Sequence, residues 1–138
     1  VNGEPQSMVP ELGKYFDYFI VQAYDCGGDH DLDRRFASTV ANYQGHLSAE
    51  EVARKYLVTE NYEKYASTGG APGYADRYGN HMNSVEGMAR WLPIYNNKVL
   101  QKAGVGTYHM EYEYTVSDQP GTYPSLRKAI RIMNPPVK

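Results

Sequence analysis

Tyr18-Phe19-Ile20-Val21-Gln22-Ala23-Tyr24 decides the fold. It is the longest apolar run with β-forming residues, bounded by Gly13 before it and Gly27-Gly28 after it. It is apolar on both faces, the pattern of a strand inside a parallel sheet. The two-residue period puts Tyr18, Ile20, Gln22 and Tyr24 on one face and Phe19, Val21 and Ala23 on the other, which could bury against helices. An amide at Gln22, facing inward on an apolar strand, needs a hydrogen-bond partner, because leaving it unpaired costs ~1–3 kcal/mol.

Working outward from that strand, helix and strand signals alternate. Phe36, Val40 and Tyr43 fall at helical spacing, so Leu32 to Tyr43 is predicted helical. Ser48 and Glu51 stand three apart before Val52, a capping-box signature for a second helix that runs into a strand over Tyr56–Glu60. Asn83-Ser84-Val85-Glu86 opens another helix through Trp91, stopped by Pro93. A third strand is expected from Val105 to roughly Tyr114, and a last helix from about Tyr123 to Met133, halted at Asn134-Pro135-Pro136. The Gly-rich stretch 68–80 is too long for a plain connector.

Strand followed by helix, three times over, gives an α/β fold with a parallel sheet. Three such units leave unpaired edges, whereas a closed (β/α)8 barrel takes eight strands and roughly 250 residues. The expectation is therefore a single domain over 1–138 that forms part of a larger barrel.

Composition narrows the function. The 138 residues carry a net charge of −2 with both signs mixed along the chain, so no basic stripe marks a nucleic-acid interface. No apolar run approaches the ~20 residues of a membrane span. The single cysteine, Cys26, gives no internal disulfide and cannot build a zinc site alone. His30, His46, His81 and His109 have no helical pairing. Asp29-His30-Asp31-Leu32-Asp33 fails as a calcium loop, since Arg34 and Val40 hold the positions that need Gly and Glu. Gly69-Gly70-Ala71-Pro72-Gly73 lacks the Lys-Ser/Thr ending of a phosphate loop. No metal or cofactor is expected. Fourteen tyrosines against three phenylalanines and one tryptophan suit a wet, ring-lined groove.

In parallel barrels chemistry sits at the C-terminal ends of strands. That rule selects Gln22, Tyr24 and Asp25 on the first strand, and Glu60 and Asn61 on the second. On the third it selects Tyr108, Met110, Glu111 and Tyr112. Burial alone would explain a tyrosine at any of these positions.

Gln22-Ala23-Tyr24-Asp25 resembles the sixth barrel strand of glycoside hydrolase family 18, which ends M-x-Y-D in chitinases and Q-x-Y in endo-β-N-acetylglucosaminidases. Gly104-Val105-Gly106-Thr107-Tyr108-His109-Met110-Glu111 is similar to the eighth strand, G-x-M-x-W-x-x-D, with Gly106, Tyr108 and Glu111 replacing Met, Trp and Asp. Residues 1–6, 56–65 and 76–91 also resemble the C-terminal half of the family's Bacteroidetes endoglycosidase-like branch. The resemblance implies the C-terminal part of a TIM barrel, from about strands five or six to eight. It further implies a secreted, periplasmic or cell-surface glycosidase that cleaves β-1,4 bonds at N-acetylglucosamine, using the substrate's acetamido group as nucleophile.

By that resemblance Tyr24 and Gln22 are catalytic, holding and orienting the acetamido group. Tyr108 forms part of the floor under the sugar, and Glu111, Asp25, Glu60 and Asn61 are candidates for substrate binding. The family's general acid lies in D-x-x-D-x-E, and none of the aspartates at 17, 25, 29, 31, 33, 76 or 118 begins that motif. The motif is expected upstream, in an N-terminal half of the barrel that would partner this chain. A barrel with a broken motif would instead be a non-catalytic glycan-binding protein. A self-standing small α/β protein is the third possibility, and it requires its sheet edges to be covered by its own helices.

Overall fold

The computed structural model describes residues 10–23, 32–61, 85–108, 114 and 121–137. After a 3₁₀ segment, Pro10–Tyr15, come β1 (Phe19–Gln22), α1 (Leu32–Asn42), α2 (Ala49–Lys55) and β2 (Tyr56–Asn61). Then follow α3 (Val85–Arg90), β3 (Ile94–Tyr95), β4 (Lys98–Val99), β5 (Gly104–Tyr108) and α4 (Pro124–Met133). Strands β1, β2 and β5 form a three-stranded sheet in the order β1-β2-β5, and β3 and β4 form a separate antiparallel pair. This is an α/β fold. Among the described residues the sheet does not close into a barrel.

Two backbone bonds outside the ladder fix how the strands line up. Ala23, just past β1, donates to Thr59 near the end of β2 at 2.9 Å. Ala103, just before β5, donates to Tyr56 at the start of β2, also at 2.9 Å. Both bonds join like ends of their strands, which is the register of a parallel sheet.

The described residues fall into two compact units. The first draws on Val1–Val21, Asp31–Leu57 and Leu92–Ala103. In it α1 buries Leu32, Phe36 and Val40, one face at four-residue spacing. Phe36 meets Tyr56 edge-on at 5.2 Å, and Phe19 stacks on Tyr43 at 4.7 Å. Helix α2 is held by a reciprocal cap: Glu51 N–H donates to the Ser48 hydroxyl while the Glu51 carboxylate accepts from Ser48 N–H. Its first turn is acidic and its last turn basic, which suits the helix dipole.

The second unit draws on Gln22–His30, Val58–Trp91 and Gly104–Lys138. Val85 and Ala89 of α3 pack with Ala129 of α4, joined by Val105, Leu126, Ile132 and Met133. Glu86 bonds Arg90 one turn on at 2.8 Å and lies 3.8 Å from Lys128. Pro124 begins α4, where its missing N–H costs nothing.

Four expectations change. Residue 114 is helical, and β5 ends at Tyr108, so the third strand does not run to Tyr114. The β3–β4 hairpin falls in a stretch with no predicted strand; Asn96 and Asn97 turn it at φ 47° and 62°, the left-handed pair of a tight hairpin. The 3₁₀ segment is also additional. On β1, Phe19, Val21 and Ala23 are at least partly buried as expected, but the opposite face is open. Tyr18 is 61% and Ile20 67% exposed, and Gln22 is exposed rather than buried. Nothing among the described residues covers that face, so Gln22 avoids the desolvation that burial would impose.

Candidate functional site

The ends of β1 and β2 carry the residues that the strand-end rule selects. Gln22 closes β1, and Glu60 and Asn61 close β2. The Ala23–Thr59 bond sets these two ends side by side, because the carbonyl one residue before Glu60 is fixed to the amide one residue after Gln22. Tyr108 closes β5, the other neighbour of β2. Gln22, Glu60, Asn61 and Tyr108 therefore all stand at strand C-termini of one sheet. Tyr24, Asp25 and Glu111 lie outside the described residues, as do the side chains of Glu60, Asn61 and Tyr108. The 68–80 stretch and Asn83-Ser84 lie outside them too.

Alternation along the strands separates a packed face from an open one. Val105 of β5 packs against α3 and α4, so Gly104 and Gly106 share the other face and contribute no side chain to it. On β1 the open face carries Tyr18, Ile20 and Gln22.

The starts of the strands have a different character. Tyr56 is fully buried, and burial pushes its phenol up to about 12. Lys102, just before β5, is 3% exposed, and burial pushes its ammonium down to about 8. Groups at the N-terminal ends of parallel strands belong with stability rather than catalysis.

One cluster was not singled out from the sequence. Asp17, Tyr18, Glu51, Arg54 and Lys55 line an open cavity of about 500 Å³. Its signal was the polar edge of Tyr15-Phe16-Asp17-Tyr18 just before the strand, which the strand reading absorbed.

Strand–helix units with polar groups at strand C-termini define an α/β protein. Glycoside hydrolase family 18, BT1044-like, matches residues 1–132, and the chain belongs to that family. Comparison with curated proteins and with solved structures gave no match. Membership supports a glycoside hydrolase-related function and ties the α/β fold to the TIM barrel. Among the described residues no helix is long and apolar enough to cross a membrane.

Proposed function

We propose that this chain is the C-terminal part, from about strands five or six to eight, of a family 18 (β/α)8 barrel. The barrel cleaves β-1,4 bonds at N-acetylglucosamine, with the chitobiose core of N-glycans as the favoured substrate. The observation that carries the reading is the family match over nearly the whole chain, joined to Q-x-Y at the end of β1. The general acid comes from a D-x-x-D-x-E segment that precedes these residues, in the N-terminal half that completes the barrel.

In this mechanism the upstream Glu gives its proton to the leaving glycosidic oxygen as the C1–O bond breaks. The substrate's acetamido oxygen forms the new bond to C1, giving a bicyclic oxazolinium intermediate. Tyr24 donates its hydroxyl proton in a hydrogen bond to that acetamido oxygen, and Gln22 orients the group, so attack begins from a near-attack geometry. Tyr108 provides the apolar floor. Asp25, Glu60, Asn61 and Glu111 meet sugar hydroxyls. Water then opens the intermediate with the Glu as base, and the configuration at C1 is retained. Such a protein meets its glycans outside the cytoplasm, in a secreted, periplasmic or cell-surface setting.

Early-time proton NMR of a chitobiose-core glycan incubated with the barrel-completing protein tests this. The β-anomer must appear first at the new reducing end. First appearance of the α-anomer, or cleavage at another linkage, would overturn the mechanism.

The second reading is a glycan-binding barrel without hydrolysis. Both readings agree with the lack of a D-x-x-D-x-E spacing in the 138 residues, and they differ in whether the upstream motif is intact. Intact mass with peptide sequencing separates the two. An upstream segment carrying the motif supports the enzyme, and one with the motif broken supports the binder.

A further inference from the structure

We propose that the outer face of α3 and α4 is a peripheral docking surface for phosphate-bearing lipid headgroups, carried by Arg90, Arg127, Lys128 and Arg131. The inference goes beyond the glycosidase reading and does not depend on the reaction. The mixing of charges along the chain stops at Asp118. Four of the 14 Lys and Arg and none of the 16 Asp and Glu fall after it. The chain as a whole carries −2, so the part before that point is acidic.

Helix packing turns these cations outward. Ala129 of α4 is buried, and it packs with Leu126, Ile132 and Met133 against Val85 and Ala89 of α3 and Val105 of β5. Arg127 and Arg131 each stand two residues from Ala129 and one turn apart, so they share the side of α4 that points away from the sheet. Both are exposed, as are Lys128 beside them and Arg90 at the end of α3. The helices of a (β/α)8 barrel form its outer ring. A helix side turned away from the sheet therefore remains outside when the other strand–helix units are in place.

Charge decides the kind of partner. Glu86 is the one acid in the two helices, and it is bonded by Arg90 at 2.8 Å and approached by Lys128 at 3.8 Å. One carboxylate against four cations leaves the face positive. Guanidinium groups match phosphate oxygens in pairs, so arginines one turn apart suit a layer of phosphates. The cations are spread over two helices, which fits an extended anionic surface better than a single small anion. The acidic remainder of the chain is repelled by such a surface, so the molecule approaches it with this face first. The apolar side of α4 is used in the core, and no described helix is long and apolar enough to cross a membrane. Contact is therefore made by charge at headgroup level, without insertion.

The test is co-sedimentation of the full chain with vesicles of phosphatidylglycerol and phosphatidylcholine in about equal parts, beside vesicles of phosphatidylcholine alone. Binding is expected to the anionic vesicles only, and to weaken as salt rises. Each basic residue near an anionic bilayer contributes about fivefold, so Arg127→Gln with Arg131→Gln should lower partitioning at least roughly tenfold. Arg54→Gln, an exposed cation of the first unit, removes charge elsewhere and should leave binding nearly unchanged. Circular dichroism checks that these surface variants fold. Equal binding to neutral vesicles, no binding to either kind, or a double variant that binds like the parent chain overturns the proposal. So does an equal loss in Arg54→Gln, which would mark an effect of net charge alone. Capture by soluble dextran sulfate without vesicle binding overturns it in favour of an acidic polymer. Each of these failures leaves the glycosidase reading standing.

Discussion

The backbone N–H of Ala23 donates to the carbonyl of Thr59 at 2.9 Å, which sets the end of β1 level with the end of β2. Because of that one bond, Gln22 and the Glu60-Asn61 pair stand side by side at neighbouring strand ends. In the barrel-completing protein, Tyr24→Phe is expected to lower kcat on a chitobiose-core glycan by ~10²–10³, as loss of one preorganised donor does. KM should change little. Steady-state kinetics checks this, and an unchanged kcat would remove Tyr24 from the mechanism.

Gly13 is a steric requirement of the first unit. A Cβ at this position would stand 2.6 Å from Cε1 and 2.7 Å from Cδ1 of Tyr43. The Tyr43 ring cannot easily retreat, since it is buried and stacked on Phe19. Gly13→Ala should therefore cost ~1–3 kcal/mol, the usual range for overpacking. Denaturant unfolding measures it. A loss under half of the lower figure would show that the ring moves freely.

Lys102 predicts an alkaline rise in stability. Its folded value of about 8 lies below the ~10.4 of an unfolded lysine. Between these values the unfolded chain holds a proton that the folded chain has lost, so unfolding becomes harder as pH increases. Below about 8 both states carry the proton, and the burial cost is present in full. Lys102→Met should raise stability at pH 7 by up to about 3 kcal/mol and abolish the rise. Melting curves from pH 7 to 10 decide the point.

The Ser48–Glu51 cap governs the acid side. Backbone and then side-chain hydrogen bonds from Ser48 hold the Glu51 carboxyl below its usual value. Its contribution is therefore complete above the ordinary glutamate value and is lost as pH falls through the lowered one. Ser48→Ala should cost about 1 kcal/mol at neutral pH. Glu51→Gln should flatten the acid limb of the stability profile. A profile identical to that of the parent chain would show that the cap is not formed in solution.

The helices and main strands were legible because their signals are periodic and local. Phe36, Val40 and Tyr43 mark the buried face of α1, and the Ser48–Glu51 spacing marks the start of α2. The β3–β4 hairpin was not, because strands of two residues have no period to detect. Its only sign was Asn96-Asn97, a pair that tolerates left-handed backbone. The openness of Tyr18 and Ile20 was also unreadable. Their apolar character says that a face could be buried, and no spacing in the sequence says whether anything packs on it. The strand-end rule selects Gln22, Glu60, Asn61 and Tyr108 from element order, and these positions do fall at strand ends. The roles given to Tyr24, Gln22 and Glu111 came from resemblance, since no spacing within one strand encodes them.

The most direct test of the glycosidase account is hydrolysis of a chitobiose-core glycopeptide by the protein that includes the upstream segment, followed by mass spectrometry. The account predicts a peptide that keeps a single N-acetylglucosamine, together with the released glycan, both lost in Tyr24→Phe. An intact glycopeptide that nevertheless binds the protein would contradict it and establish a glycan-binding barrel instead.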